Sequence, residues 1–316
     1  MTSHAQAGGA FAARWAALGA VLVLAFVGVG AFGAYRYLRG YWLYRGFPPP
    51  ADPAFVAQAG TTQTLGVTSP ALGGRTQQVI VYLPPGYDTD TSRRYPVLYL
   101  LHGFPGRPAA FLETVRMGVV EDVLVAKGRA QPLILVMPMG STGTFTDKEW
   151  ADGYRPHESW ATFVSRDLVR TIDARYRTIA NGSARAIAGL SEGGYGALNI
   201  GLRNPNEFRV LESWSGYERA DPLKSIFGGD QARLLANTPL HTLPFVARTL
   251  RRNRNFVWFY SGTTDPLRKQ NNAFARLLAK VRVHHTYFVV RGGHNWAIWR
   301  GTAARAYLAA ASRLTA

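Results

Sequence analysis

Short apolar runs that alternate with amphipathic helical patterns constrain the fold of this chain more than any other feature of its sequence. Helical spacing appears from Trp160 to Tyr176, where every fourth residue is apolar or aromatic, and again from Phe274 to Val281. Because the apolar runs between these patterns are continuous, both faces of the sheet must be covered, which predicts a mostly parallel sheet with helices on both faces, of class α/β. Six runs predict strands: Val79–Leu83, Val97–Leu101, Leu133–Val136, Ala186–Leu190, Phe256–Tyr260 and Tyr287–Val290.

The N-terminal region contains one long apolar segment. No residue from Trp15 to Tyr35 is charged, and most of them are Ala, Val, Leu, Phe or Gly. As a helix this segment rises about 31 Å, which is enough to cross the hydrocarbon core of a bilayer. We therefore expect a short tail at residues 1–14, followed by a transmembrane segment or signal anchor at residues 15–35.

Two fates are compatible with this segment. Its length exceeds the roughly 7–15 residues of a signal-peptide core, which favours an uncleaved anchor, but the small residues around Gly30 and Ala31 also suit cleavage and secretion. One arginine precedes the segment and several follow it, so the positive-inside rule places the rest of the chain in the cytoplasm. The prolines of Gly46–Pro53 predict a juxtamembrane spacer at residues 36–61, before one domain at residues 62–316.

The chain is strongly basic, with 36 Lys and Arg against 19 Asp and Glu, a net charge of +17. It has no zinc-finger spacing, basic heptads or aromatic-basic RNA motif, so nucleic acid is not an expected partner. An anionic membrane or envelope polymer is a candidate partner, and a solvated basic surface without a partner is the alternative. Cysteine is absent, which excludes disulfides, thiolate catalysis and cysteine zinc sites.

A Gly-x-Ser-x-Gly motif follows the predicted strand Ala186–Leu190. Its serine is Ser191, and its glycines are Gly189 and Gly193. A turn this tight between strand and helix needs glycine two residues before and two after the serine, whose oxygen is then held at the C-terminal edge of the sheet. An ordinary glycine-rich turn is the alternative, since the chain contains 33 glycines. The strand before the motif and the helix after it predict Ser191 as a nucleophile.

A general base and an orienting acid should follow the serine along the chain. Of the seven histidines, His294 alone directly follows the last predicted strand and precedes the last helix, and it is the predicted base. Asp265 follows the strand Phe256–Tyr260 and would hold the tautomer of His294. Asp265 also fits a helix N-cap, and Glu218 and Asp221 are the alternative acids.

Two backbone N–H groups are needed to stabilise an oxyanion. Glu192 follows the nucleophile and should supply one, while Phe104, in the loop after Val97–Leu101, should supply the other. Pro105 cannot donate, and His102 is expected to brace this loop. The sequence shows no metal-ligand spacing and no phosphate loop, so neither a metal nor a cofactor is expected.

Taken together, these motifs resemble the putative-esterase family of α/β-hydrolases, which includes esterase D, feruloyl esterases and mycolyltransferases. The resemblance covers about Thr62 to Leu314 and implies an α/β-hydrolase fold, a Ser-Asp/Glu-His triad, acyl-enzyme chemistry and, in many members, export from the cell. Glu192 departs from the family, where Met is common. The motifs that carry the resemblance are Ser69–Gly73, Val81–Tyr87, Leu100–Gly103, Ile187–Ala197 and Gly292–Trp296.

The resemblance leads to three hypotheses for residues 62–316. The first is a serine carboxylic ester hydrolase that acts on a small-molecule, lipid or sugar ester. The second is an acyltransferase that passes the same acyl group to an alcohol, and the third is a non-catalytic envelope-binding module. Export would place this domain outside the cytoplasm on a single-pass anchor, or release it after cleavage. The residues that contact substrate are not identified by the sequence, although a loop at residues 147–154 is a candidate to overlie the site.

Overall fold

The computed structural model describes residues 3–44, 51–52, 58–142, 149–223 and 225–316. The chain divides into two compact units, Met1–Pro49 and Pro50–Ala316.

The first unit contains a single long helix, α1 (Ser3–Tyr44), of 42 residues. Its stretch Arg14–Leu38 is apolar, fully exposed and long enough to cross a membrane. This confirms an apolar N-terminal helix. The helix continues beyond the predicted end at residue 35, so that residues 36–44 of the predicted spacer are helical, whereas most of the Pro-rich stretch Gly46–Pro53 lies outside the described residues.

The second unit contains eight strands that form one sheet. They are β1 (Thr61–Ser69), β2 (Arg75–Leu83), β3 (Val97–Leu101), β4 (Ile134–Pro138), β5 (Arg185–Leu190), β6 (Val210–Trp214), β7 (Phe256–Gly262) and β8 (His285–Val290). Their order across the sheet is β1-β2-β4-β3-β5-β6-β7-β8. Strand β2 is antiparallel to both of its neighbours, and every pair from β4 to β8 is parallel.

Helices cover both faces of this sheet. In chain order they are α2 (Ala110–Glu113), α3 (Met117–Ala126), α4 (Trp160–Thr162), α5 (Val169–Arg175), α6 (Glu192–Arg203), α7 (Gln231–Ala236), α8 (Pro239–Arg252), α9 (Arg268–Lys280) and α10 (Trp296–Ala311). One apolar core contains residues of α4, α5, α6, α8 and α9, and a second contains residues of α2, α3 and α10. Tyr99 of β3 belongs to the first core and its neighbour Leu98 to the second, as the alternation of a strand requires. The predicted α/β class is therefore confirmed.

All six predicted strands are present, but β1 and β6 were not predicted. Strand β6 interrupts its apolar run with Glu212 and Ser213, although both are fully buried. Strand β1 begins with four exposed residues, and Leu65 and Val67 are the apolar side chains that it buries. Neither strand therefore has the continuous apolar pattern of a central parallel strand.

Candidate active site

The predicted nucleophile lies at a sharp turn between β5 and α6. Ser191 has φ 56° and ψ −120°, and its N–H donates to the carbonyl of Trp214 at 3.0 Å. A positive φ is costly for a residue with a side chain, and such strain persists only where the surrounding structure enforces it. The turn leaves Ser191 partly exposed at the C-terminal edge of the sheet.

The two glycines of the motif make this turn sterically possible. A Cβ on Gly189 would overlap the backbone of Gly193, and a Cβ on Gly193 would overlap the carbonyl oxygen of Leu101 at the end of β3. The sequence requirement for glycine at both positions is therefore a direct consequence of backbone packing. It also brings α6 against β3, so that the loop after β3 lies beside the serine.

His294 lies in the loop between β8 and α10, within hydrogen-bond distance of the serine. Its Nε2 is 2.7 Å from Ser191 Oγ, and its side chain is 26% exposed. Gly292 precedes it with φ 138°, a conformation that a side chain would strain. The ring of Trp299, in α10, packs edge-on against the imidazole with the ring centroids 5.1 Å apart. The loop and the indole together fix the orientation of the imidazole.

Asp265 lies in the loop after β7, on the other side of the imidazole. Its Oδ2 is 3.0 Å from Nδ1 of His294, and its side chain is fully buried. Its Oδ1 accepts a hydrogen bond from the N–H of Leu267 at 2.8 Å, just before α9. Burial acts to raise the pKa of Asp265, but the hydrogen bond and charge of His294, together with further hydrogen bonds to its carboxyl group, hold the pKa below its ordinary value. Asp265 is therefore a carboxylate, and the histidine proton stays on Nδ1.

The two alternative acids occupy different surroundings. Asp221 is exposed and accepts a hydrogen bond from Arg219 at 2.6 Å. Glu218, in the loop after β6, is completely buried, and among the described residues neither of its carboxylate oxygens has a hydrogen-bond partner. Burial and then the charge of Asp265 raise the pKa of Glu218 well above its ordinary value. Glu218 is therefore a neutral acid close to Asp265, and Asp265 is the carboxylate that contacts the histidine.

The loop after β3 lies directly against the nucleophile. A Cβ on Gly103 would lie 3.0 Å from the carbonyl oxygen of Leu190 and 3.1 Å from Cβ of Ser191. Phe104 follows Gly103 and its side chain is 43% exposed. Glu192 begins α6, where backbone N–H groups have no acceptor within the helix. Phe104 and Glu192 thus belong to two segments that adjoin the serine, and their role as oxyanion donors stays a prediction.

His102 holds this loop in place. Its Nδ1 donates to the carbonyl of Gly103 at 3.0 Å, and its Nε2 accepts from the N–H of Gly140 at 3.1 Å. A carbonyl can only accept and an N–H can only donate, so the ring must be neutral with its proton on Nδ1. Burial lowers the pKa of His102 to about 4. The ring therefore links the loop after β3 to the segment after β4.

Sequence reasoning missed several contacts around the site. Trp150 is fully buried, and its indole N–H donates to the carbonyl of His102 at 3.0 Å, so it supports the loop after β3. Tyr217 stacks on Tyr195 with centroids 4.8 Å apart, and its hydroxyl hydrogen-bonds to Glu149. Tyr217 follows β6, a strand that the sequence did not predict, which is why its position was not foreseen.

The proposed substrate loop is described only in part. Asp147 and Lys148 lie outside the described residues. Tyr154 is 46% exposed and lines a cavity of about 220 Å³ together with Arg155, Glu158 and Ser225. Within the described residues, no three His, Asp or Glu side chains are placed to hold a metal ion.

Comparison with known proteins identifies the family to which this chain belongs. The family described as "Putative esterase" matches residues 69–309, most of the chain. The chain belongs to this family. It is 37% identical over 146 residues to an endo-1,4-beta-xylanase/feruloyl esterase of Xylanibacter ruminicola, a match that covers 45% of this chain and 20% of that protein.

Two further similarities agree with this membership. A Mycobacterium tuberculosis protein named as an esterase is 28% identical over 248 residues, which cover 68% of this chain and 52% of that protein. A solved ferulic acid esterase superposes with a TM-score of 0.71 at 25% identity, over 81% of this chain and 100% of that one. The chain thus spans about a fifth and about half of the two curated relatives. The fold is the α/β-hydrolase fold.

Proposed function

We propose that this chain hydrolyses carboxylic esters through an acyl-enzyme formed on Ser191. The observation that carries the proposal is the continuous hydrogen-bonded line from Ser191 through His294 to Asp265, at 2.7 and 3.0 Å. This line combines an activated nucleophile with an oriented base, in a family described as esterases.

The first half of the reaction follows from this line. His294 Nε2 accepts the hydroxyl proton as Ser191 Oγ attacks the ester carbonyl, and a tetrahedral intermediate forms. The N–H groups of Glu192 and Phe104 stabilise the negative oxygen of that intermediate. The intermediate collapses as the carbon–oxygen bond to the alcohol breaks, and His294 gives its proton to the leaving alkoxide. Asp265 stays ionised and stabilises the imidazolium while it exists.

The second half repeats these steps with water. His294 removes a proton from a water molecule, and the resulting hydroxide attacks the acyl-enzyme carbonyl. When the second tetrahedral intermediate collapses, Ser191 Oγ leaves and recovers the proton from His294. The carboxylic acid is released and the free enzyme is restored.

The test is release of nitrophenol from p-nitrophenyl acetate and butyrate by the detergent-solubilised full chain, beside its Ser191→Ala variant. Because two similar proteins are named as feruloyl or ferulic acid esterases, methyl ferulate belongs in the same panel. We expect steady turnover that falls by on the order of 10⁶ in the variant. A stoichiometric burst that then stalls would point to an acyltransferase without its acceptor. Equal silence of both proteins on all esters would favour a binding module and overturn the proposal.

We further propose that α1 anchors a catalytic domain, residues 62–316, on the outer side of a membrane. The ground for this orientation is that many members of the family are exported, and it opposes the positive-inside rule, since the arginines that follow the apolar stretch favour the cytoplasm. The exposed apolar stretch Arg14–Leu38 supports an anchor, and cleavage with secretion is the alternative. Because the chain has no cysteine, the exposed Ser92 can carry a unique Ser92→Cys label. A membrane-impermeant maleimide should label that variant in intact cells, in the membrane fraction. Labelling only after lysis would place the domain in the cytoplasm, and labelled protein in the medium would indicate secretion.

A further inference from the structure

Basic residues collect at the edge of the sheet opposite the candidate active site. Ser191 follows the C-terminal end of β5, whereas Arg209, Arg254 and His284 lie just before the N-terminal ends of β6, β7 and β8. These three strands are parallel neighbours, with Val210 paired to Phe256. Because the N-terminal ends of parallel strands meet at one edge, the topology brings the three basic residues together.

A fourth basic residue joins them from the end of α10. The guanidinium of Arg313 lies over the ring of Phe256, 3.9 Å from its centroid, and its Nη1 donates to Nδ1 of His284 at 3.2 Å. His284 itself packs against the same ring, with the centroids 5.0 Å apart. We call Arg209, Arg254, His284 and Arg313 the basic cluster. The aromatic ring holds two of its members at a fixed separation.

The carboxylates near the cluster pair with an arginine outside it. Among the described residues, none of its three arginines forms an ion pair with a carboxylate, although the structure contains many such pairs elsewhere. The acidic side chains of this region are engaged by Arg185, which pairs with Asp173 at 2.5 Å and with Glu207 at 3.1 Å. Arg185 is almost fully buried, whereas the side chain of Asp173 is 17% exposed and that of Glu207 is 43% exposed.

The crowding affects the proton affinity of the cluster. Burial and then the positive charges of Arg254 and Arg313 lower the pKa of Arg209. Burial, and after it the charges of Arg313, His285 and Arg209, lower the pKa of His284. Like charges at this proximity repel one another, and a bound anion would relieve the repulsion.

A cavity adjoins the cluster through Arg209. It has a volume of about 310 Å³ and is lined by polar groups, including Ser183, Asn206, Asn253 and Asn255. Arg209 donates to the carbonyl of Asn253, which fixes its guanidinium at the cavity wall. The cavity is large enough for an anion with several oxygens, and the arginines are suited to bind phosphate oxygens in pairs.

We propose that the basic cluster and its cavity form a binding site for a phosphate or phosphodiester group, at the end of the domain opposite Ser191. The site is independent of the proposed ester hydrolysis, since it shares no residue with the candidate active site. It also gives a local role to part of the large positive charge of the chain. The ligand is either a soluble phosphate compound or the headgroup of an anionic lipid.

The test compares binding of inorganic pyrophosphate, by calorimetry, to the full chain and to three variants: Arg209→Gln, Arg313→Gln and the matched control Arg170→Gln. Arg170 is an exposed arginine of α5, so its replacement changes the net charge equally. We expect each cluster variant to bind about tenfold more weakly, as loss of a charge-assisted pair implies, and the control to bind like the wild type. Turnover of p-nitrophenyl acetate should be the same in all four proteins, which separates this proposal from the proposed hydrolysis.

A second arm identifies the source of the phosphate. Stronger co-sedimentation with phosphatidylglycerol vesicles than with phosphatidylcholine vesicles, to which α1 alone can attach the chain, would identify a lipid headgroup if the cluster variants lose this difference and Arg170→Gln keeps it. NMR gives the location, since pyrophosphate should raise the pKa of the His284 imidazole. Absence of binding to both probes, equal loss in the control, or a His284 pKa that ignores saturating pyrophosphate would overturn the proposal.

Discussion

One buried imidazole should make this domain sensitive to mild acid. His102 bridges the carbonyl of Gly103 and the N–H of Gly140, which the neutral ring alone can do. Its pKa is lowered from the ordinary 6.5 to about 4, so between these values the unfolded chain binds a proton that the folded chain does not. The free energy of unfolding must therefore fall as the pH drops through this window. At about 1.4 kcal/mol for each pH unit, the complete loss is about 3 kcal/mol.

The assay is urea unfolding of the wild type and of His102→Gln between pH 7.5 and 4. Glutamine keeps an acceptor for the N–H of Gly140 but does not titrate, and all carboxyl groups are common to both proteins. The wild type should lose about 3 kcal/mol more than the variant over this range. His241→Gln, at an exposed position of α8, should show no such difference from the wild type.

Equal pH slopes for the wild type and His102→Gln would refute the reasoning. NMR of the wild-type imidazole provides a check that does not depend on the stability of the variant. A His102 ring that titrates near pH 6.5, or that carries its proton on Nε2, would show that the bridge between the two loops is absent.

Three further predictions concern the site and its support. Asp265→Asn should lower kcat for p-nitrophenyl acetate by about 10⁴ while the fold is retained, and a loss below tenfold would contradict the role of Asp265. Glu218→Gln should match the wild type near pH 4 and become relatively more stable towards pH 8 in urea unfolding, because folded Glu218 keeps a proton that the unfolded chain loses above about pH 4.5. A constant difference in the free energy of unfolding would contradict the neutral state of Glu218. Gly193→Ala should destabilise the domain by about 1–3 kcal/mol in thermal unfolding, because the added Cβ would overlap the carbonyl oxygen of Leu101. The matched variant Gly301→Ala has open space around its Cβ and should stabilise α10 by about 0.5–1 kcal/mol, so equal effects of the two variants would contradict the packing argument.

The part of the fold that the sequence predicted best is the set of central strands, whose apolar runs are continuous. Strand β3 has the predicted limits Val97–Leu101, because a central parallel strand is apolar on both faces. Strand β6 was not predicted because Glu212 interrupts its apolar run. In the fold Glu212 is buried and protonated, since burial raises its pKa to about 8. A sequence pattern registers glutamate as polar and cannot show that a neighbouring fold neutralises it.

The helical segment that begins at Trp160 agrees with its sequence pattern only because its geometry departs from a regular α-helix. Apolar residues at strict intervals of four drift around an α-helix of 3.6 residues per turn. In the structure, a π-helical turn at Phe163–Leu168 joins α4 to α5 and widens the helix locally. Trp160, Val164 and Ile172 are consequently all buried on one side of the sheet. The sequence pattern predicted that these residues lie on one face of the helix. The π-helical turn, which has more residues per turn than an α-helix, explains why residues four apart stay on that face.

The residues of the candidate site could be predicted from the sequence because each of them follows the end of a predicted strand. The carboxyl ends of parallel strands lie at one edge of the sheet. The structure brings Ser191, His294 and Asp265 into hydrogen-bond contact, and their catalytic roles stay a prediction. The sequence favoured Asp265 over Glu218 and Asp221 because Asp265 follows a predicted strand, and the structure places Asp265 against the histidine. The supporting contacts of Trp150 and Trp299 depend on loop paths that no local pattern encodes.

The most direct test of the central claim is covalent labelling of Ser191 with a fluorophosphonate, followed by intact-protein and peptide mass spectrometry. We predict one adduct per chain, located on the peptide that contains Ser191, absent from Ser191→Ala and formed far more slowly by His294→Asn. An adduct on any other residue, or equal labelling of wild type and Ser191→Ala, would contradict the account.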